Sequence, residues 1–156
     1  MTLRPARAED EAFLLQVYGS TRAEELSLVD WTEAQKQAFV AAQYAAQASS
    51  YRSNYPGAEF QVIVVDGEAA GRLYLHRRPE ELRIMDLALL PHYRGRGLGS
   101  RLLRQVLADG RAQKLPVTIH VERFNPALRL YQRLGFRVVE DKGVYFLLKW
   151  EPDTDA

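Results

Sequence analysis

Leu87-Ala88-Leu89-Leu90-Pro91-His92-Tyr93-Arg94-Gly95-Arg96-Gly97-Leu98-Gly99-Ser100 carries the densest chemical signal in the chain. An apolar strand stops at Pro91, a glycine-rich turn follows, and Leu98, Leu102, Leu103, Val106 and Leu107 then share one helical face. No acidic residue lies between Asp86 and Asp109, whereas four arginines do: Arg94, Arg96, Arg101 and Arg104. The first amides of a helix have no intrahelical acceptor and sit at the positive end of its dipole. Glycine adds close access to the bare main chain. The stretch is therefore an anion site in outline, suited to phosphate or pyrophosphate.

Two familiar phosphate motifs fit poorly. Gly-Lys followed by Ser or Thr, which a P-loop requires, occurs nowhere in the chain. Gly95, Gly97 and Ser100 nearly satisfy the dinucleotide fingerprint, with Glu122 at a suitable distance for a ribose. That fingerprint belongs in the first turn of a repeated βαβ array, and here a meander precedes it instead.

Working outward, Phe60 to Val65 is rich in β-branched residues and runs into Asp66-Gly67, a signal for a tight hairpin. Leu73 to His76 continues on the far side, and a further strand spans Leu82 to Leu90, so a three-strand meander is expected. Val117 to Val121 forms the next strand, which makes strand, helix, strand a crossover with one parallel pair. Asn125-Pro126 predicts a helix opening, with Ala127, Leu130, Tyr131 and Leu134 as its apolar stripe and Gly135 as its end. A hairpin, Phe136 to Val139 and Val144 to Trp150, closes the sequence. Upstream, a short strand at Thr2 to Arg4 precedes helices over Ala8 to Tyr18 and Glu33 to Ala48, the second opened by the Thr32/Gln35 capping box. Gly110 marks where the central helix loosens or ends. The class is mixed α/β.

Composition bounds the rest. The 156 residues are 47% apolar and 26% charged, the profile of one ordinary globular domain, and no linker or repeat divides them. The absence of cysteine removes disulfides, thiolate zinc sites and thiol nucleophiles, and suits the cytoplasm. No apolar run approaches the roughly 20 residues of a membrane span, and the N-terminus lacks a signal-peptide pattern. A net charge of +1 gives no global attraction to nucleic acid or anionic lipid.

Arg94-x-x-Gly97-x-Gly99, set after a strand ending Leu87-Ala88-Leu89, resembles the Q/R-x-x-G-x-G/A motif of the GNAT superfamily of N-acetyltransferases. Asn125, Ala127, Leu130-Tyr131 and Leu134-Gly135-Phe136 resemble that family's second signature, and the element order is similar over nearly the whole chain. The resemblance implies a GNAT-like fold of seven strands, largely antiparallel, with strands 4 and 5 parallel and splayed, flanked by about four helices. It implies acetyl-coenzyme A as co-substrate and no metal. Pyrophosphate contacts fall to Arg94, Gly95, Arg96, Gly97, Leu98, Gly99 and Ser100, and pantetheine contacts to the backbone of Leu87, Ala88 and Leu89 and to Asn125. It also implies direct attack of an amine on the thioester, with Tyr131 as acid for the departing thiolate, and a possible homodimer through the C-terminal strands, with Trp150 as an anchor.

An alkyl ammonium of pKa about 10.4 is almost wholly charged at neutral pH, so a base or a water chain is required. His120 is the first choice, and Asp86, Glu122 and His76 remain competitors. Asn125 precedes Tyr131 by six residues where the family more often has seven, so either the helix start is shortened or Phe124 holds the usual Asn register. Each residue also has a plain structural role: Asn125 as an N-cap, Tyr131 as core, His120 and Glu122 as a solvated strand face. Asp30, Trp31, Tyr44, Tyr51 and Tyr55 could wall an acceptor site for a small-molecule or peptide amine. The rival expectation is a module that binds acyl-coenzyme A without turnover, as a sensor.

Overall fold

β-Branched runs become strands where the sequence predicts them. The computed structural model describes residues 1–152 and orders seven strands among them as β1-β2-β3-β4-β5-β7-β6 in one sheet. The strands are β1 (Thr2–Pro5), β2 (Glu59–Val65), β3 (Glu68–Arg77), β4 (Leu82–Leu89), β5 (Val117–Glu122), β6 (Arg137–Asp141) and β7 (Tyr145–Trp150). The helices are α1 (Glu11–Leu26), α2 (Glu33–Asn54), α3 (Leu98–Gln113) and α4 (Leu128–Arg133). By its contacts the chain gathers into two compact units, Met1–Tyr74 with Leu87–Arg94, and Leu75–Asp86 with the described residues from Gly95 onward.

In the first unit β1 lies antiparallel to β2, from Thr2↔Val64 to Pro5↔Gln61. Asp66 and Gly67 both take positive φ, 50° and 80°, which is the backbone of the tight hairpin expected there. Leu14, Tyr18 and Leu26 of α1 meet Val40 and Tyr44 of α2 over Val62 of β2. Burial of such side chains contributes about 1.5–3 kcal/mol each. Both helices run past their expected ends. The hydroxyls of Ser20, Thr21 and Ser27 donate to the carbonyls of Val17, Tyr18 and Glu24, so residues that compete with a helix in isolation ride on α1 instead. α2 likewise carries Ser49 and Ser50 inside it, while its capping box forms as predicted, with Gln35 N to Thr32 Oγ1 at 3.1 Å and Thr32 N to Gln35 Oε1 at 2.9 Å.

In the second unit β4 and β5 run parallel over Leu82↔Val117, Arg83↔Thr118 and Ile84↔Ile119. β5 then pairs antiparallel with β7 through Glu122↔Tyr145, and β6 joins β7 across a bulge between Val138 and Glu140. α3 is the crossover between β4 and β5, and its predicted apolar face is buried. Gly110 lies inside α3 rather than at its end. A Cβ there would stand 3.0 Å from the Leu115 carbonyl and from Val117, and 3.1 Å from the Trp150 ring. Lys114, at φ 58°, takes the left-handed cap instead. The expectation that Trp150 anchors a dimer needs correction. Its ring is 4% exposed and is spent inside its own unit, against Gly110, Gly135 and the Arg111 guanidinium.

Candidate active site

The turn before α3 is held by bonds from Tyr93 N to Leu90 O, Arg94 N to Pro91 O, and Arg101 N to Gly97 O. Gly95 and Gly97 adopt φ of 75° and 76°, a region that side chains rarely tolerate, so the main chain can reverse sharply into the helix. A Cβ on Gly95, Gly97 or Gly99 would meet nothing within 4 Å, which leaves the backbone bare on that side. Among the described residues no carbonyl accepts from the amides of Gly95, Gly97, Leu98, Gly99 or Ser100. Free amides, open space and the positive end of a 16-residue helix therefore coincide in the second unit. This donor set fits a pyrophosphate. Arg96 and Arg101 are exposed beside it.

In the first unit Arg94 turns its guanidinium to the Leu89 carbonyl at 3.0 Å and to Ser20 Oγ at 3.4 Å, and these bonds hold the chain after β4. Leu87, Ala88 and Leu89 are half-buried. Gly71 is a residue that sequence reasoning missed. A Cβ on it would collide with the Ala88 carbonyl, so the close approach of the two main chains requires a glycine. The small-residue run Ala69-Ala70-Gly71 in mid-strand is the signal that could have found it.

Beyond Ile84↔Ile119 no further β4–β5 pair forms, although β5 continues to Glu122. Residues paired across two strands share a face, and side chains alternate along each strand. Leu82, Ile84 and Asp86 thus lie on the face of Val117, Ile119 and Val121, whereas Arg83 lies with Thr118, His120 and Glu122. The bonds agree: Arg83 Nε donates to Thr118 Oγ1 at 2.7 Å, and Arg83 Nη1 sits 3.2 Å from His120 Nδ1.

Tyr131 is 5% exposed and meets Phe136 edge-on at 5.6 Å. Burial, and then the charge of Asp86, push its phenol up to about 12. Among the described residues none hydrogen-bonds that hydroxyl. The structure thus couples Tyr131 to Asp86 and places His120 elsewhere. Lys142 Nζ lies 3.1 Å from His120 Nε2, opposite Arg83. Desolvation first, and then these two cations, hold the imidazole below its ordinary value. His76 Nδ1 accepts from Arg78 Nε at 3.1 Å, and Glu122 is exposed.

Asn125 does not open a helix as expected. Its Oδ1 accepts from the Ala127 amide at 2.8 Å and its carbonyl from the Leu128 amide at 3.0 Å, so Asn125-Pro126 form a turn and α4 starts at Leu128. The short interval to Tyr131 is therefore a delayed helix start, and Phe124 stands 90% exposed. Of the expected acceptor walls, Trp31 packs on Phe39 of the helix that follows it at 5.2 Å and Tyr51 meets Tyr55 edge-on, while Tyr44, which donates to Glu11 at 3.0 Å, lines a cavity of the first unit together with Tyr51.

Comparison with known proteins agrees with this geometry. The family model for the Acetyltransferase (GNAT) family matches residues 22–136. The mycothiol acetyltransferase of Corynebacterium glutamicum (strain R) is 44% identical over 69 residues, 43% of this chain, and the match spans only 24% of that protein's length. PaiA N-acetyltransferase from Thermoplasma acidophilum, solved in complex with coenzyme A, superposes with a TM-score of 0.72 at 19% identity, over 96% of this chain and 98% of that one. The ribosomal-protein-S18-alanine N-acetyltransferase from Escherichia coli gives 0.66 at 16% identity, over 99% and 96%. The two structures share the fold, and the matched family model carries the kinship: this chain belongs to the Acetyltransferase (GNAT) family.

Proposed function

We propose that the chain transfers an acetyl group from acetyl-coenzyme A directly to a primary amine of a small molecule or peptide. The observation that carries this reading is the α3 turn, whose free amides face open space over Gly95, Gly97 and Gly99. The main chain from Gly95 to Ser100 binds the pyrophosphate, with Arg96 adding charge. The backbone of Leu87, Ala88 and Leu89 takes the pantetheine, and Arg94 braces the Leu89 carbonyl. Asn125 acts through the turn that sets Tyr131.

In the reaction the amine nitrogen bonds the acetyl carbon, the carbon–sulfur bond breaks, and the amine's proton leaves to a base. Asp86 takes that role in preference to His120, because a ring between two cations resists protonation. Tyr131 meets the departing sulfur. A phenol at about 12 is a weaker acid than an alkyl thiol at about 8.5, so outright proton transfer would run uphill by roughly 5 kcal/mol. Tyr131 therefore acts as a hydrogen-bond donor to the developing thiolate, stabilising charge where it appears.

Coenzyme A release with a panel of amines tests the reading, and at least one amine should give turnover. Gly97→Glu places a carboxylate and a strained backbone on the anion turn and should abolish coenzyme A binding by calorimetry. A wild-type chain that binds no coenzyme A would end the proposal. Binding without transfer to any amine would instead support a sensor.

A further inference from the structure

The closed end of the β4–β5 fork, in the second unit, carries a polar cluster to which the proposed transfer gives no role. Only three residue pairs, from Leu82↔Val117 to Ile84↔Ile119, set the register of these parallel strands before they part. Glu81, Arg83 and Thr118 lock together beside those pairs. Glu81 Oε1 accepts from Arg83 Nη2 at 3.1 Å and from Arg78 Nη1 at 3.0 Å, and Glu81 Oε2 accepts from the Thr118 hydroxyl at 3.1 Å. The same hydroxyl accepts from Arg83 Nε at 2.7 Å, and Arg83 Nη1 lies 3.2 Å from His120 Nδ1. A ring of three side chains thus closes across both strands, each bonded to the other two.

The ring is enclosed. Thr118 is 2% exposed, and the side chains of Arg83 and Glu81 are 13% and 16% exposed. An enclosed ion pair adds little net stability, because desolvation offsets most of its attraction. It can instead select one alignment of its elements, since any other leaves charge and hydroxyl without partners at low dielectric. A slip of one residue between β4 and β5 would carry Arg83 away from Thr118 and turn Asp86 to the other face. A ladder so short has little else to resist such a slip.

We propose that Glu81, Arg83 and Thr118 are positioning residues for the donor. Their ring fixes the register at which β4 and β5 part, and with it the gap beyond Ile84 and Ile119 that takes the pantetheine arm of coenzyme A. This inference rests on the proposed use of coenzyme A. The ring acts through the two strands, and the pyrophosphate turn from Gly95 to Ser100 forms no part of it.

Calorimetry of the full chain with coenzyme A and with ADP decides it, by competition where direct heats are small. ADP keeps a diphosphate on adenosine and lacks the arm, so the wild type should bind coenzyme A at least about tenfold more tightly. Thr118→Val keeps the shape and removes both bonds of the hydroxyl, and it should cut that ratio at least about fivefold while affinity for ADP stays within about twofold. Thr118→Ser restores the hydroxyl and should return the ratio to the wild-type value. Glu81→Gln should lower the ratio in the same way, and combined with Thr118→Val it should lower it no further than the larger single change, because both break one ring. A general loss of folding would weaken the two ligands alike. The inference is overturned if Thr118→Val and Glu81→Gln both keep the wild-type ratio, if Thr118→Ser fails to restore it, or if both ligands weaken equally. Those outcomes leave coenzyme A binding by the wild type intact and the proposed transfer standing, whereas a wild type that binds no coenzyme A ends both.

Discussion

Tyr131 keeps its proton across the working range of any assay, because burial and Asp86 push its phenol up to about 12. Its removal therefore reads out chemistry rather than charge. Tyr131→Phe should lower turnover about 10²- to 10³-fold, the usual range for one hydrogen-bond donor to a developing anion, while calorimetric affinity for coenzyme A stays within twofold. A fall in affinity equal to the fall in turnover would mean that the ring is only a wall. No alkaline limb of the rate profile should arise from this phenol below pH about 11. Asp86→Asn should cost more turnover than His120→Gln, and the reverse order would return the base to His120. Gly71→Ala belongs to the same scale. The added carbon meets main-chain carbonyl rather than a yielding side chain, so thermal melts should show a loss of about 1–3 kcal/mol. Tyr131 was legible as a candidate because its motif is local. That Asp86 and His120 lie on opposite faces was not, since the face of a strand residue depends on which partner residue it lies beside.

The start of α1 is pinned by charge more than by propensity. Arg4 donates to both Asp10 oxygens, at 2.8 and 2.9 Å, and the Arg7 amide donates to Asp10 Oδ2 at 2.8 Å. The Arg4 bond chiefly draws the Asp10 carboxyl down to about 2. A carboxyl that is more acidic folded than unfolded binds fewer protons in the native state, so it stabilises the fold above its unfolded value of about 3.9. That contribution is lost as pH falls from there through about 2. Asp10→Asn should flatten the acid limb of stability in this window and cost about 1–2 kcal/mol at neutral pH, measured by urea melts at several pH values. An unchanged acid limb would assign it to other carboxylates. His120 has the opposite chemistry with the same sign: a ring held below its ordinary value stabilises the fold above pH about 6.5 and less below it. Of these devices only the α2 capping box announced itself in the sequence, because its partners are three residues apart. The Arg4–Asp10 pair needed the turn after β1 to bring its partners together.

For the whole chain, the proposed donor predicts a linked gain in stability. Coenzyme A at 100 times its dissociation constant should stabilise the folded protein by about 2.7 kcal/mol, which for a chain of this size is a rise in melting temperature of roughly 5–10 °C. The rise should disappear in Gly97→Glu. Local chemistry alone carried the strand and helix order, the glycine turn before α3 and the two signatures around Arg94 and Tyr131, since each depends on neighbours within a few residues. The family match spans residues 22–136, which include the glycine turn and the Tyr131 stretch. Tertiary structure decided the rest. It extended α1 and α2 through residues that locally disfavour helix, because buried Leu26 and Tyr44 outweigh a few tenths of a kcal/mol of propensity. It turned Trp150 inward, put His120 between two cations and enclosed Arg72 among aromatic rings. All three depend on residues far apart in the chain meeting in space, and no spacing along the sequence encodes that directly.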